Sequence, residues 1–247
     1  MSLLPNIVVL TGAGISAESG VDTFRDKDGA WVKNDPMKVA TPEGFAADPD
    51  RVHAFYNARR AQLPGVKPNP GHEALARLET IWRRHGAAFT LVTQNVDDLH
   101  ERAGSRHILP IHGSLLKVEC RGCGAVHDWA ADLTTTTPCP ACDAHALRPY
   151  IVWFGEIPRH FDEVEEAMMK ADLFISVGTS GSVYPAAGLV HLARERAIPR
   201  VELNLEPSDN ASVFSEARYG PASQVVPAYV DELVARYGIT DRDDGET

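Results

Sequence analysis

Four cysteines carry the clearest chemical signal in this chain, and they form the pairs Cys120-x-x-Cys123 and Cys139-x-x-Cys142, separated by fifteen residues. Pairs at this spacing are typical of a zinc ribbon, in which four thiolates surround one Zn²⁺ tetrahedrally. Disulfides are the alternative. We favour zinc because no signal peptide is recognisable and disulfides are rare in reducing compartments. Four protein ligands leave no open position for a substrate, so we expect one structural zinc ion.

A second signal is the turn Gly12-Ala13-Gly14-Ile15-Ser16-Ala17, which follows an apolar run over residues 6–10. Gly-x-Gly-x-x-Ala after a strand lets backbone N–H groups approach a pyrophosphate at the start of a helix. Any glycine-rich turn between a strand and a helix is the alternative, and the next strand candidate lies far beyond the usual unit of ~30 residues. Better candidates for binding the ribose and the phosphates lie at the ends of later strands. They are Asn204-Leu205-Glu206 for the ribose and Gly178-Thr179-Ser180 for the phosphates.

Two polar segments could supply reactive groups. Thr93-Gln94-Asn95-Val96-Asp97 follows an apolar run, so its amide and carboxylate groups should project into a crevice at the end of a strand. His112-Gly113 offers an imidazole, the side chain best suited to proton transfer near neutral pH. Taken alone, each segment is equally typical of a polar surface loop or turn.

The apolar patterns predict an α/β protein. Short runs rich in β-branched residues occur at 6–10, 89–92, 173–177 and 200–204, and helical patterns occur at 71–84 and 185–196. Alternating strands and helices predict a Rossmann-like, doubly wound parallel sheet that binds ligands at the carboxyl ends of its strands.

Two segments interrupt this alternation and predict a smaller second lobe. Residues 33–65 show a helical pattern without a clear strand, and residues 114–149 hold the four cysteines. We therefore expect a Rossmann-like domain built from 1–32, 66–113 and 150–240, with a helical insertion at 33–65 and a zinc-ribbon insertion at 114–149.

The composition excludes several classes of protein. With 24 basic and 34 acidic residues the formal charge is −10, which disfavours binding of nucleic acid through a basic surface. No apolar run approaches the roughly 20 residues that span a bilayer, so no membrane association is expected. The N-terminus leads directly into a strand, and a cytoplasmic location is the expectation.

In this order along the chain, the motifs resemble those of the sirtuin family, the NAD-dependent protein-lysine deacylases. The resemblance covers nearly the whole length and includes Thr23-Phe24-Arg25 and Phe154-Gly155-Glu156. It implies NAD as a co-substrate. The residues that it places around NAD are Gly12, Ala13, Gly14, Ser16, Ala17, Thr23, Phe24, Arg25, Trp31, Gln94, Asn95, Val96, Asp97, Gly178, Thr179, Ser180, Asn204, Leu205, Glu206 and Ala222.

The resemblance also implies a mechanism. Asn95 and Asp97 hold the nicotinamide amide, and the amide oxygen of an acyl-lysine attacks the ribose carbon as nicotinamide leaves. His112 is then the general base for a ribose hydroxyl, and O-acyl-ADP-ribose is released. His112 and Asn95 are thus the expected catalytic residues. The substrate peptide should pair with backbone strands at Gly155-Glu156 and Val183-Tyr184, and Val152 and Phe154 are further expected substrate-binding residues.

Within the family, the chain is similar to the class III branch. Tyr56 and Arg59 lie three residues apart, which puts both on one face of a helix, and Trp153 also matches this branch. A phenol and a guanidinium suit the terminal carboxylate of succinyl- or malonyl-lysine. A Tyr-Arg pair packed on a helix surface is the alternative.

Two other functions stay open at this point. One is a protein mono-ADP-ribosyltransferase on the same fold, which product analysis would distinguish. The other is a non-catalytic module that binds NAD or partners through its zinc ribbon; the joint presence of Asn95, Asp97 and His112 argues against it. The oligomeric state is not determined by the sequence, and a monomer is favoured.

Overall fold

The computed structural model describes residues 4–22 and 34–239. Its centre is a six-stranded sheet in which all neighbouring strands are parallel, with the order β3-β2-β1-β7-β8-β9. These strands are β1 (Ile7–Thr11), β2 (Phe89–Thr93), β3 (Ile108–Pro110), β7 (Leu173–Val177), β8 (Arg200–Asn204) and β9 (Glu216–Tyr219). The chain runs outward from β1 to one side first and then returns to build the other side. The switch point of the sheet therefore lies between β1 and β7.

Helices cover both faces of this sheet, as the alternating pattern predicts. On one face α4 (Pro70–Arg84) and α8 (Ala222–Arg236) pack together over a core that includes Leu75, Leu78 and Trp82. On the other face lie α6 (Phe161–Lys170) and α7 (Leu189–Glu195). The Rossmann-like fold class is thereby confirmed.

The predicted helix at 185–196 is only partly correct, because the chain first makes a 3-10 turn at Ala186–Gly188 before α7 begins. Among the described residues, no helix is long and apolar enough to cross a bilayer.

A smaller lobe sits beside the switch point. The short helices α1 (Pro36–Val39) and α2 (Pro42–Ala47) lead into α3 (Pro49–Gln62), and each of the three begins with proline after a capping Asp or Thr. An antiparallel sheet, β5-β4-β6, completes the lobe with β4 (Gly113–Cys120), β5 (Val126–Asp128) and β6 (Leu147–Ile151). A further helix, α5 (Leu99–Ala103), follows β2. The domain boundaries given above stay a prediction.

Candidate active site

The turns after β1 and β7 form a close-packed backbone cradle at the switch point. The amide of Gly14 donates to the carbonyl of Gly178 (2.9 Å). Gly178 has a φ of +60°, and a Cβ there would lie 2.4 Å from the nitrogen of Ile15, so both conformation and space require glycine. A cradle lined by backbone rather than side chains is what a pyrophosphate needs. After Gly12 the chain makes 3-10 turns at Ala13–Ile15 and Ala17–Ser19, so the prediction that a regular helix starts here is wrong.

Ser16 is the hub of a buried polar cluster beside this cradle. Its hydroxyl accepts a hydrogen bond from the side-chain amide of Asn95 (3.1 Å) and donates one to the carboxylate of Asp97 (3.1 Å). Burial raises the pKa of Asp97, while hydrogen bonds from Leu99 and Ser16 act in the opposite direction. The structure thus brings Ser16 together with two predicted residues that lie 79 and 81 positions later, and the side-chain amide of Asn95 is part of their hydrogen-bond network.

Two buried histidines, His72 and His100, lie against the hydroxyls of Ser16 and Thr11, and the sequence motifs did not predict a role for either. His72 Nδ1 accepts from the backbone amide of Asn69 (3.3 Å), so its Nε2 carries the proton and faces Ser16 Oγ (3.3 Å). His100 Nε2 lies 2.9 Å from Thr11 Oγ1, and the two imidazole rings are 4.9 Å apart. Burial lowers the pKa of His72 to about 4 and that of His100 to about 3. Both rings are therefore neutral at pH 7.

His112 lies between β3 and β4, at the mouth of the site. Its Nδ1 donates to the carbonyl of Gln94 (3.1 Å), which leaves the lone pair of Nε2 available, and burial lowers its pKa. A neutral imidazole with a fixed tautomer is suited to act as a general base. The next residue must be glycine, because Gly113 has a φ of +89° and a Cβ there would lie 2.0 Å from the carbonyl oxygen of Tyr150.

The residues predicted at the adenosine end lie along the same edge of the sheet. The side chain of Asn204 donates to the carbonyl of Thr179 (2.9 Å), which joins the ends of β8 and β7, and Leu205 is exposed. Glu206 follows in the same loop, and Ser180 lies in the turn after β7. Ala222 opens α8, whose next amide donates to Glu18 (2.8 Å). Thr23, Phe24, Arg25 and Trp31 lie outside the described residues.

Tyr56 and Arg59 are both buried on α3. The hydroxyl of Tyr56 accepts from the indole nitrogen of Trp153 (3.1 Å), so its own proton is free to be donated elsewhere. Burial raises the pKa of Tyr56 and lowers the pKa of Arg59, and the charge of Asp97 acts on Arg59 in the opposite direction. The guanidinium of Arg59 therefore lies within electrostatic reach of the polar cluster.

The predicted peptide-binding segments are partly different from expectation. The amide of Val152 donates to the carbonyl of His112 (2.9 Å), so this segment does adjoin the base. Gly155 and Glu156, however, lie in a turn, and so does Tyr184 after the bend at Val183, so the prediction of strands at these positions is wrong. The carboxylate of Glu156 faces inward, where Arg148 binds it (2.6 and 2.9 Å), whereas Phe154 and Tyr184 are exposed.

The four cysteines converge as a zinc ribbon requires. All four sulfur atoms lie within 4.8 Å of one another, with 3.7 Å between Cys120 and Cys142 and 3.8 Å between Cys123 and Cys139. A tetrahedron with Zn–S bonds of about 2.3 Å has edges of about 3.8 Å, so the sulfur positions fit one Zn²⁺. Backbone amides of Gly122 and Ala141 point at two of the sulfurs (both 3.4 Å) and would stabilise their negative charge.

Comparison with known proteins now identifies the family. The sequence model of the Sir2 family matches residues 12–185, which is more than half of the chain. The chain belongs to the Sir2 family. A curated protein of Caulobacter vibrioides named NAD-dependent protein deacylase is 56% identical over 231 residues, covering 93% of this chain and 97% of its own. A protein of the same name from Escherichia coli strain K12 is 54% identical, covering 93% of this chain and 82% of its own.

Solved structures of Sir2 proteins are similar to this chain in fold. A Sir2 homolog–NAD complex superposes with a TM-score of 0.85 at 37% identity, over 95% of this chain and 91% of its own. Sir2Af2 bound to a myristoylated histone peptide gives a TM-score of 0.73 at 33% identity, over 94% and 92%. These comparisons confirm the predicted family, the NAD-dependent protein deacylase activity and the use of NAD. The roles of individual residues stay predictions.

Proposed function

We propose that this Sir2-family deacylase acts on lysines whose acyl group ends in a carboxylate, succinyl- and malonyl-lysine, in protein or peptide substrates, and that it also removes acetyl groups. The observation that carries the proposal is the buried pair Tyr56 and Arg59 on α3. A phenol proton and a guanidinium, both removed from water, match one carboxylate by hydrogen bonding and charge.

The neighbouring arginine is excluded from this role by its own contacts. Arg60 is 3% exposed and donates to the carbonyls of Leu115 (2.7 Å) and Ala131 (3.3 Å) and to the side-chain oxygen of Asn57 (2.8 Å). These hydrogen bonds hold the guanidinium of Arg60 inside the smaller lobe. The proposal assigns the acyl carboxylate to Arg59, which lies within electrostatic reach of Tyr56.

The geometry of the polar cluster supports the remaining proposed roles. Asn95 and Asp97, held by Ser16, bind and orient the nicotinamide amide, and Gln94 contacts the adjacent ribose. The backbone at Gly12, Ala13 and Gly178 cradles the phosphates. When bound, NAD supplies an electrophilic ribose carbon and is consumed. Nε2 of His112 accepts a proton from a ribose hydroxyl, and its Nδ1–H···O bond to Gln94 steadies the ring while it is charged.

The zinc ion belongs to the structure of the small lobe and takes no part in proton transfer, because four thiolates fill its coordination sphere. We further propose that the chain works as a monomer in the cytoplasm, since its thiolate site suits a reducing compartment. The division into a Rossmann-like domain and two insertions is part of the same proposal.

The test compares turnover on peptides that differ only in the acyl group: succinyl, malonyl and acetyl. In Arg59→Met the loss on succinyl-lysine should correspond to about 2–5 kcal/mol, because the carboxylate is left buried and unpaired. The loss on acetyl-lysine should be small. Tyr56→Phe should show a weaker version of this selectivity. Arg51→Met is the matched control, since Arg51 is an exposed arginine on the same helix.

Equal losses on both substrates in Arg59→Met would contradict the acyl preference. Mass spectrometry of the products checks the reaction itself. The deacylase yields nicotinamide and O-acyl-ADP-ribose, whereas an ADP-ribosylated protein would indicate transfer to a side chain.

A further inference from the structure

Helix α3 carries two interleaved sets of side chains with different neighbours. Tyr56 and Arg59 form the proposed acyl-reading pair, while the next residue after each, Asn57 and Arg60, contacts the segment between the two cysteine pairs. The side chain of Asn57 donates to the carbonyl of Leu133 (2.9 Å) and accepts from the amide of the same residue (2.9 Å). One side chain thus satisfies both backbone groups of a single residue.

Arg60 extends this contact in two directions. Its Nη1 donates to the side-chain oxygen of Asn57 and to the carbonyl of Ala131, and its Nε donates to the carbonyl of Leu115 at the start of β4. Because Arg60 and the carbonyl of Leu115 are buried, breaking this contact would leave polar groups without partners, which is costly. We call the contacts of Asn57 and Arg60 with residues 131–133 and Leu115 the α3 clamp.

The far side of the clamp is anchored in the core around the zinc site. Leu133 is fully buried and packs with Val118, Leu147 and the two buried cysteines, Cys120 and Cys139. The position of Leu133 is therefore fixed by the same small core that holds Cys120 and Cys139. Through the clamp, this core also fixes the rotation and height of the helical turn that bears Tyr56 and Arg59.

We propose that Asn57 and Arg60 are positioning residues. Through them, the zinc-ribbon insertion sets the position of Tyr56 and Arg59 and thereby the selectivity for the acyl group. The inference rests on the proposed role of Tyr56 and Arg59. Consecutive residues on one helical turn move together, so a turn released from the clamp shifts the phenol and the guanidinium relative to the acyl carboxylate. A contact with the acyl carboxylate is made in the bound substrate and in the transition state alike, so weakening it raises KM and leaves kcat nearly unchanged. An acetyl group lacks the carboxylate and does not sense this shift.

The experiment uses Asn57→Leu, which is similar in size and removes both amide contacts. We expect KM for a succinyl-lysine peptide to rise about tenfold while kcat changes little, with KM for the matched acetyl-lysine peptide within about twofold of wild type. Zinc content, measured by elemental analysis, should remain one ion per chain. Arg60→Lys keeps the positive charge but cannot make the several hydrogen bonds of the guanidinium. This variant replaces Asn57→Leu in the experiment if Asn57→Leu is not soluble.

Thr135→Val is the matched control. Its hydroxyl donates to Asp50 on α3 (2.9 Å), so it links the same two parts of the lobe at an exposed position outside the clamp. Parallel losses on both peptides in the clamp variants, or unchanged succinyl selectivity in a folded variant, would overturn the inference. Arg59→Met separates the two proposals: if it lowers both activities equally, the acyl-reading role itself fails. If Arg59→Met is selective and the clamp variants are not, only the clamp inference fails.

Discussion

The two buried histidines under the site should make the protein acid-sensitive at a pH where its carboxylates are still ionised. His72 and His100 are 0% and 2% exposed, and their native pKa values of about 4 and about 3 lie far below the value of about 6.5 for an unfolded chain. A histidine whose pKa is lowered by folding is protonated first in the unfolded state. The free energy of unfolding therefore falls as the pH drops below 6.5, and it continues to fall until the native pKa values are reached.

The size of the effect follows from these values. At pH 5 the unfolded chain gains about 1.36 kcal/mol per pH unit below 6.5 from each imidazole, which is about 2 kcal/mol per histidine and about 4 kcal/mol for the pair. For a chain of this length, 1 kcal/mol changes the melting temperature by about 2–4 °C. Between pH 8 and pH 5 the pair should thus lower the melting temperature by roughly 8–16 °C.

Thermal denaturation of wild type and of His72→Gln/His100→Gln across this range is the assay. The double variant should start less stable at pH 8 but lose about 8–16 °C less on acidification. Acid effects on the zinc thiolates act on both proteins and cancel in the difference. His85→Gln, an exposed histidine at the end of α4, should follow wild type. Identical pH dependence in the double variant and wild type would refute the reasoning.

Two further predictions concern the base and the metal. His112→Ala should lower the rate of deacylation by about 10²–10⁴-fold while NAD binding is retained. Product formation measures the rate, and calorimetry measures the binding. Activity within about threefold of wild type would contradict the role of His112 as general base. Cys139→Ser should lose zinc and lower the melting temperature and soluble yield, because structural zinc contributes directly to folding. Wild-type protein that contains no zinc by elemental analysis would contradict the second prediction.

The sequence was most informative where a function depends on a local pattern. The central strands are continuous apolar runs, and the cysteine pairs encode their ligand spacing directly. The edge strands β3 and β9 were missed, because β3 is only three residues long and ends in Pro110, and β9 (Glu216–Tyr219) alternates exposed and half-buried residues at the sheet margin. Edge strands have one partner and little burial, so they leave a weak signal.

Contacts between distant segments explain most of what the sequence could not supply. His72 faces Ser16 across 56 residues, and nothing in either local motif says that they meet. The two adjacent arginines on α3 are alike in sequence, and only the carbonyls of Leu115 and Ala131 show that Arg60 is engaged. Gly155 has a φ of +89° and lies in a turn, and Val183 lies in a bend, so neither segment is the extended strand that was expected.

The order of strands in the central sheet has a consequence for the newly made chain. β1 is synthesised first, yet it gains one neighbour only when Phe89 has been added and the other only when Leu173 has been added. The zinc module, whose ligands lie between residues 120 and 142, can close while β7 is still unmade. On the ribosome the small lobe can therefore take shape around its metal while half of the cofactor cradle does not yet exist, and until then the exposed edge of β1 must be kept from other strands.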